Sequence, residues 1–283
     1  MSVFLRGVQL RCGPPGAKGL AFGNEAPGVT GHHVKFSTKA SDTGRPATCV
    51  VQIYNISDTS LHVFEDSKNV ATLLVGHADR GMSALFKGNP LPNTLTMSRQ
   101  GGDWVTSVTL RDGGRKLDFG RLDVSFTTTT TGRQVLDRII SETGLGRGQI
   151  DLGVVNFPRR FVFSGSASQA LDLLVGATAT DPQPRRWFVR DGDLYILPST
   201  TPTAEKAVVY SADNGTLVGS PTAGEDGSIQ FKGVLVDTTL RVGRVVKLVS
   251  RRFSGFYKAV DVSFSGTNYD SSFYVTIKAV PYQ

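Results

Sequence analysis

The stretch from Val34 to Asn89 constrains this chain more than any other. It reads V-K-F-S-T-K, then T-C-V-V-Q-I-Y-N-I-S-D, then V-A-T-L-L-V-G-H, then L-F-K-G-N. These are short runs rich in β-branched and aromatic residues, each closed by a polar or glycine turn. Val51 and Ile53 alternate with Val50, Gln52 and Tyr54. A period of two puts the two sets on opposite faces of a strand. One run ends in the unusual tag Ile53-Tyr54-Asn55-Ile56-Ser57. No cluster of acid, base and nucleophile lies among these strands, so the segment points to shape and assembly rather than to chemistry.

The same pattern extends to residue 126. Val3–Leu10 reads as a first strand, Arg11–Gly31 as a long Gly/Pro loop or arm, and His32–Lys39 as a further strand. Trp104, Thr106, Val108 and Leu110 alternate with Val105, Ser107, Thr109 and Arg111. Asp112-Gly113-Gly114 is a turn signal, after which Leu122, Val124 and Phe126 line one strand face.

Residues 127–200 change character. Thr131 and Gln134 have the spacing of a capping box ahead of the apolar face Val135, Leu136, Ile139 and Ile140, with Gly144 as the stop. The device recurs at Ser166 and Gln169, ahead of Ala170, Leu171, Leu174 and Val175, with Gly176 as the stop. Asp191-Gly192-Asp193 then separates two apolar runs as a hairpin turn does. Residues 201–283 return to strands after the linker 200–205. Val245–Val249, the alternating Val260, Val262 and Phe264, and the alternating Phe273, Val275 and Ile277 suggest three or four antiparallel strands in a small barrel or sandwich. The fold class expected is mainly β with a small α/β module, in segments 1–126, 127–200 and 201–283.

The chain of 283 residues is long enough for two ordinary domains or three small ones. Its net charge of +7 is scattered. The densest clusters are Arg159-Arg160, Arg185-Arg186 and Arg251-Arg252, without the basic stripe and interleaved aromatics of a nucleic-acid binder. Cys12 and Cys49 fit neither a zinc site nor a redox pair, and Cys49 reads as a small buried hydrophobe, which suits a reducing cytoplasm. Met1–Leu10 lacks the continuous apolar region of a signal peptide. No apolar run approaches the roughly 20 residues that span a bilayer, so membrane insertion is not expected.

Candidate chemistry reduces to turn and strand geometry. His32, His33, His62 and His77 have no partner at ligand spacing. Adjacent His32 and His33 point to opposite faces if that segment is a strand. The glycines Gly144, Gly146 and Gly148 follow a helix, the reverse of a dinucleotide fingerprint, and read as a flexible helix stop. Ser166 is explained by capping, and Asp191 and Asp193 by the turn. No catalytic residue, metal or cofactor is expected. The aromatics Phe253, Phe256, Tyr257, Tyr269, Phe273 and Tyr274 suit a β core or a subunit interface, with a sugar-stacking surface as the alternative.

The order of these pieces resembles the hub proteins of contractile-tail bacteriophage baseplates. That family shows an extended strand, an I-Y-N-L-S element, a strand ending near G-Y and an L-F-x-G strand. Ile53–Ser57, Val75-Gly76-His77 and Leu85-Phe86-Lys87-Gly88 occupy those slots. A capped helix, a second helix opening in G-S and a closing hairpin follow in the same order, and Leu217–Pro221, Leu240–Gly243 and Gly255–Val260 resemble the family's last β region. The chain departs from the family at Phe264-Ser-Gly266-Thr267 and in the length of the 11–31 arm.

The resemblance implies two tube-like β-barrel or split-barrel domains plus a small two-helix domain. It implies a non-enzymatic homotrimer that joins a sixfold tail tube, or a tube adaptor, to a threefold central spike. Tape-measure protein and DNA would pass through its lumen without sequence-specific binding. The site would be the virion tail, after assembly in the host cytoplasm. Tyr54, Asn55 and Ser57 are the residues expected in a subunit-contacting turn. A carbohydrate-binding or cell-wall-degrading tail protein is the alternative, and a β-rich nucleic-acid binder a third reading.

Overall fold

The computed structural model describes residues 6–78, 81–113, 117, 120–157, 161–235, 237–270 and 272–282. Val3 to Leu5 of the first expected strand, Gly114 of the turn signal, and the Arg159-Arg160 pair lie outside these residues.

The first section contains β1 (Arg6–Gly13), β2 (Leu20–Gly23), β3 (Val34–Ser41), β4 (Thr48–Tyr54), α1 (Asp58–Glu65), β5 (Val70–His77), β6 (Gly81–Pro90), β7 (Thr96–Gln100), β8 (Asp103–Arg111) and β9 (Arg121–Phe126). The middle contains β10 (Thr130–Thr131), α2 (Gly132–Thr143), β11 (Gly146–Ile150), β12 (Asn156–Phe157), β13 (Phe161–Ser166), α3 (Ala167–Gly176), β14 (Arg185–Arg190) and β15 (Asp193–Pro198). The last contains β16 (Val208–Ser211), β17 (Leu217–Ala223), β18 (Ile229–Val234), β19 (Val245–Val249), β20 (Ser254–Thr267) and β21 (Phe273–Pro281). The protein is mainly β.

Period-two patterning decides which side chains go inside. Cys49, Val51 and Ile53 of β4 are fully buried, as are Val275, Ile277 and Ala279 of β21. Burial pushes the Cys12 thiol up to about 12 and the Cys49 thiol higher still, so both are inert packing groups.

Apart from β9, the strands of the first and last sections belong to one 14-stranded sheet in the order β17-β18-β21-β20-β3-β4-β8-β6-β5-β1-β2, with β7 on β8, β19 on β20 and β16 on β19. The junction is the antiparallel pair β3–β20, in register from Lys35↔Thr267 to Ser41↔Asp261. A single apolar cluster runs through both sides of that junction, from Leu73 and Val51 to Val262 and Phe273. His77, at the end of β5, is buried there as well. Its Nε2 lies 2.8 Å from the Leu235 carbonyl oxygen, and its ring meets Phe273 edge-on at 5.1 Å.

The α/β module has its own core, built from Leu136, Ile139, Leu171, Leu174, Trp187 and Ile196. Leu122 and Val124 of β9 join it, because β9 pairs with β13. Strand alternation along β14 sends Trp187 and Val189 into this core and Phe188 into the large one. Both capping boxes are present, at Thr131/Gln134 and Ser166/Gln169. Gly144 closes α2 in the left-handed region at φ 62°. The hairpin turn has Asp191 at φ 54° and Gly192 at φ 90°, as a tight two-residue connection requires.

Several expectations need correction. Gly176 is the last residue of α3, and the cap is Ala177 in the right-handed region, held by N–H bonds to the Leu173 and Val175 carbonyls. Gly146 to Gly148 are not a flexible stop but part of β11, which pairs parallel to β15. The Arg11–Gly31 arm is interrupted: Arg11 to Gly13 complete β1, and Leu20–Gly23 pairs back on it as β2. His32 and His33 precede β3 rather than lying in it. Strands β16 and β18 and helix α1 are not expected from the sequence, because their short runs carry weak periodicity, whereas β17 falls on the Leu217–Pro221 slot of the resemblance.

Polar contacts join the module to the sheet. Asp42, 1% exposed at its side chain, accepts from Arg186 Nη1 at 2.9 Å and lies 3.5 Å from Lys258 Nζ. Lys258 is equally buried and donates to the Ser199 carbonyl at 2.7 Å. Burial pulls the Lys258 ammonium below its usual range, opposed by Asp42. The Gly44 N–H crosses from the sheet side to donate to the Trp187 carbonyl at 3.0 Å, and within the module Trp187 Nε1 donates to Asp172 of α3 at 2.7 Å. On the far side, buried Asp112 accepts from the N–H groups of Asp191 at 2.6 Å and Gly192 at 3.1 Å.

Two measurements test this frame. Lys258→Ala leaves Asp42 buried without its ammonium, so equilibrium denaturation should show a loss of about 3–5 kcal/mol. A loss below about 1 kcal/mol would refute the role given to the pair. Desolvation, with the nearby Asp191 charge, raises the Asp112 carboxyl to about 6, against the lowering effect of its backbone donors. The folded state then holds a proton that the unfolded chain has released, so this group's contribution falls as pH rises from about 4 to about 6. Relative to Asp112→Asn, the wild type should lose about 2–3 kcal/mol of stability over that window. A pH-independent difference between the two proteins would overturn this.

Candidate functional site

Tyr54 ends β4 because the next residue cannot continue it. Asn55 turns into the left-handed region at φ 55°, which asparagine tolerates better than most residues. Its backbone N–H donates to the Trp104 carbonyl at 2.8 Å, and its side-chain oxygen accepts the Trp104 N–H at 2.9 Å. Its Nδ2 donates to Asp103 Oδ1 at 2.8 Å. One amide thus ties the end of β4 to the start of β8.

Tyr54 is half-buried under His33, the two rings stacking at 4.0 Å with planes 15° apart. The Tyr54 N–H donates to the His33 carbonyl at 3.0 Å. His33 also meets Tyr269 at 4.9 Å, and its Nε2 lies 3.0 Å from Thr267 Oγ1. Desolvation holds the His33 imidazole below its usual range, only partly offset by Asp270 and Asp103. It is therefore neutral near pH 7. Tyr269 is 62% exposed, and its hydroxyl donates to the Gly31 carbonyl at 3.2 Å.

These groups line an open cleft of about 590 Å³, bounded by Gly31, His32, His33, Tyr54, Asn55, Asp103 and Tyr269. Trp104, 51% exposed, stands next to Asp103. Of the residues expected in the contact turn, the structure brings Tyr54 and Asn55 to this cleft. Ser57 is not among the lining residues. It occupies the N-cap position of α1 without a side-chain cap bond, and its hydroxyl meets those of Thr59 and Ser60 at 3.0 and 2.9 Å. Sequence reading missed His33, Asp103 and Tyr269 as members of one site. They are far apart in the chain, and the β3–β20, β3–β4 and β4–β8 pairings bring them together.

The cleft offers aromatic faces, one lining carboxylate and one amide. No group of three or more His, Cys, Asp or Glu capable of holding a metal occurs among the described residues.

No protein-family model matches the chain, and no curated protein matches it in sequence. Solved structures do match its fold. The 43 kDa tail protein of prophage MuSo2 from Shewanella oneidensis superposes with a TM-score of 0.63 at 11% identity, covering 97% of this chain and 96% of that one. A tail protein from Neisseria meningitidis MC58 gives 0.59 at 9% identity, covering 98% and 96%. An Escherichia coli type VI secretion system component, described as structurally similar to the T4 tail proteins gp27 and gp5, gives 0.64 at 13% identity, covering 96% and 77%. The chain shares the fold of these phage tail and type VI secretion proteins.

The turn has a direct stability test. Asn55→Ala removes two side-chain hydrogen bonds and places a Cβ-bearing residue with little left-handed preference at that position. It should cost about 1–2 kcal/mol in chemical denaturation. Asn55→Gly should recover only the backbone share, and equal losses for both variants would contradict the assigned strain.

Proposed function

We propose that this protein is a structural hub of a contractile phage tail or a related injection machine. The observation that carries the reading is the two-way match of fold over nearly the full length of a prophage tail protein. The ordered sequence motifs point the same way.

In this reading the segments 1–126 and 201–283 act as two tube-like β units, with 127–200 as the small module set against them. Three copies with two such units each present six similar β walls around a central opening. A ring of that kind adapts a sixfold tail tube above to a threefold spike below. DNA and tape-measure protein cross the lumen without base-specific contact. The role is structural and non-enzymatic, in the virion tail, with assembly in the host cytoplasm. The Tyr54–Ser57 turn belongs to a contact between subunits.

Exposed Tyr269 and Trp104 beside Asp103 favour one alternative, a carbohydrate-binding tail protein. Hydrolysis of a glycan by the usual route needs a pair of carboxyl groups. The lining of this cleft contributes Asp103 alone.

Mass measurement of the purified protein and averaged electron micrographs test the hub reading. The expected result is a trimer, formed alone or on addition of a tube or spike protein, with a central hole. A chain that stays monomeric under all those conditions would sink it.

A further inference from the structure

We propose that Asn214 is a site of spontaneous modification in the folded protein: its side-chain amide is displaced by the Gly215 backbone nitrogen, and an aspartyl or isoaspartyl residue takes its place. The inference does not depend on the hub reading.

Residue type selects the position. Of the asparagines in the chain, Asn214 alone precedes a glycine. The others precede residues that carry a Cβ, and Asn89 precedes a proline, which has no N–H. Glycine leaves its own nitrogen unshielded and lets the backbone take the bent shape of a five-membered ring.

Turn geometry is the second argument. Asn214 lies between β16 and β17 and is exposed, as are Ala212, Asp213 and Gly215. Its Oδ1 accepts the Thr216 N–H at 3.1 Å. The ring closed by that bond contains both the side-chain carbon Cγ and the Gly215 nitrogen, so the two atoms that must join are folded towards each other. Gly215 stands at φ 70°, and a Cβ placed there would meet nothing within 4 Å, so ring closure has room.

Electrostatics is the third. As the Gly215 nitrogen bonds to Cγ, its proton leaves and Oδ1 takes on negative charge. Thr216 meets that charge with two donors, its N–H and its hydroxyl, the latter 2.6 Å from Oδ1. Paired donors aimed at a developing oxyanion lower the barrier to acyl transfer. Nδ2 then departs as ammonia, and water opens the cyclic imide on either side. In sum, an amide and water become a carboxylate and ammonium, with no oxidant or cofactor. One contact opposes the reaction: the Gly215 N–H donates to the Ala212 carbonyl at 3.2 Å and must first be released.

The altered residue sits where the turn is tied. Thr216 Oγ1 accepts the Ser211 N–H at 2.9 Å, and the Thr216 carbonyl accepts the Val234 N–H at 2.9 Å, which links the end of β16 to β18. An isoaspartyl link adds one carbon to the backbone just ahead of Thr216 and disturbs that spacing. A chain built into a virion, as the hub reading has it, is not replaced, so the change accumulates with particle age.

Peptide mass spectrometry on the full folded chain, held in warm neutral buffer, tests the proposal. The tryptic peptide Ala207–Lys232 should gain about 1 Da as an NH2 group is exchanged for OH. Fragmentation should place the gain at Asn214 and separate two products. Isomerisation of Asp226 in the same peptide changes no mass and is not counted. Conversion in the folded chain should run within about tenfold of that in the urea-unfolded chain, and at least tenfold ahead of every other asparagine. Asn214→Gln should abolish it. Thr216→Ser keeps both donors and should keep the rate, whereas Thr216→Val should slow it severalfold.

A folded chain that converts a hundredfold more slowly than the unfolded one overturns the proposal, because the Ala212 bond then outweighs the Thr216 donors. Equal conversion at several asparagines overturns the selection of this one. An equal or faster rate in Thr216→Val overturns the part given to Thr216.

Discussion

The buried contact of Asp42 with Lys258 and Arg186 is the constraint on which the architecture turns. Asp42 follows the end of β3, Lys258 lies on β20, and Arg186 lies on β14 of the module. Three segments distant in sequence therefore converge on one carboxylate. Taking such charges out of water is costly, and the attraction between them offsets that cost only when each keeps its partners. The Ser199 carbonyl, which follows β15, accepts a hydrogen bond from the Lys258 ammonium and adds a second link to the module. The contact is better understood as a fixer of geometry than as a source of net stability. An apolar patch at this junction would tolerate sliding, whereas a forked set of donors does not.

With that junction fixed, β20 becomes the spine of the molecule. It pairs with β3, β19 and β21, so the first and last sections share one sheet. The register shift between Ala259 and Asp261 bends it next to Lys258. The module is held from both sides of the β14–β15 hairpin. Arg186, through Asp42, and the Trp187 carbonyl, through the Gly44 N–H, bind it near the start of β14, and Asp112 grips the turn through two backbone N–H groups. Asp112 works against its own burial there. Its proton equilibrium and the seating of the module are therefore coupled through the same two hydrogen bonds.

Much of this was legible in the sequence where one rule acts alone. Alternating Val51 and Ile53 bury themselves whatever lies across the sheet, and the capping boxes at Thr131 and Ser166 need only local geometry. The hairpin at Asp191-Gly192 is similarly self-sufficient. Failures came where tertiary pairing overrode local chemistry. Gly146 to Gly148 look like a loop, yet β15 offers a parallel partner and the segment becomes a strand. Leu20–Gly23 is too short to announce itself and is a strand because β1 lies beside it. The cleft illustrates the same limit. Tyr54 and Asn55 stood out as an unusual strand end, but His33, Asp103 and Tyr269 join them only through strand pairings that no spacing rule reveals. Ser57 was drawn in by proximity in sequence, and helix α1 carries it elsewhere.

The sheet's open margins bear on how copies of the chain would meet. Among the described residues β2 and β17 end the sheet's path, and β7 pairs on one side only. A bare strand edge pairs readily with any other, so edges left unmanaged promote indiscriminate association. Here β2 has four residues, and β17 carries Gly219 at φ 70°, Pro221 and a register shift between Val218 and Thr222. Proline removes a donor and the shift disrupts the ladder, so both ends are poor templates for extension. The five residues of β7 are all exposed but include Arg99, a charge that disfavours stacking of like edges. Backbone pairing is thus discouraged where it would be least selective. Selectivity in any contact between copies then falls to side chains.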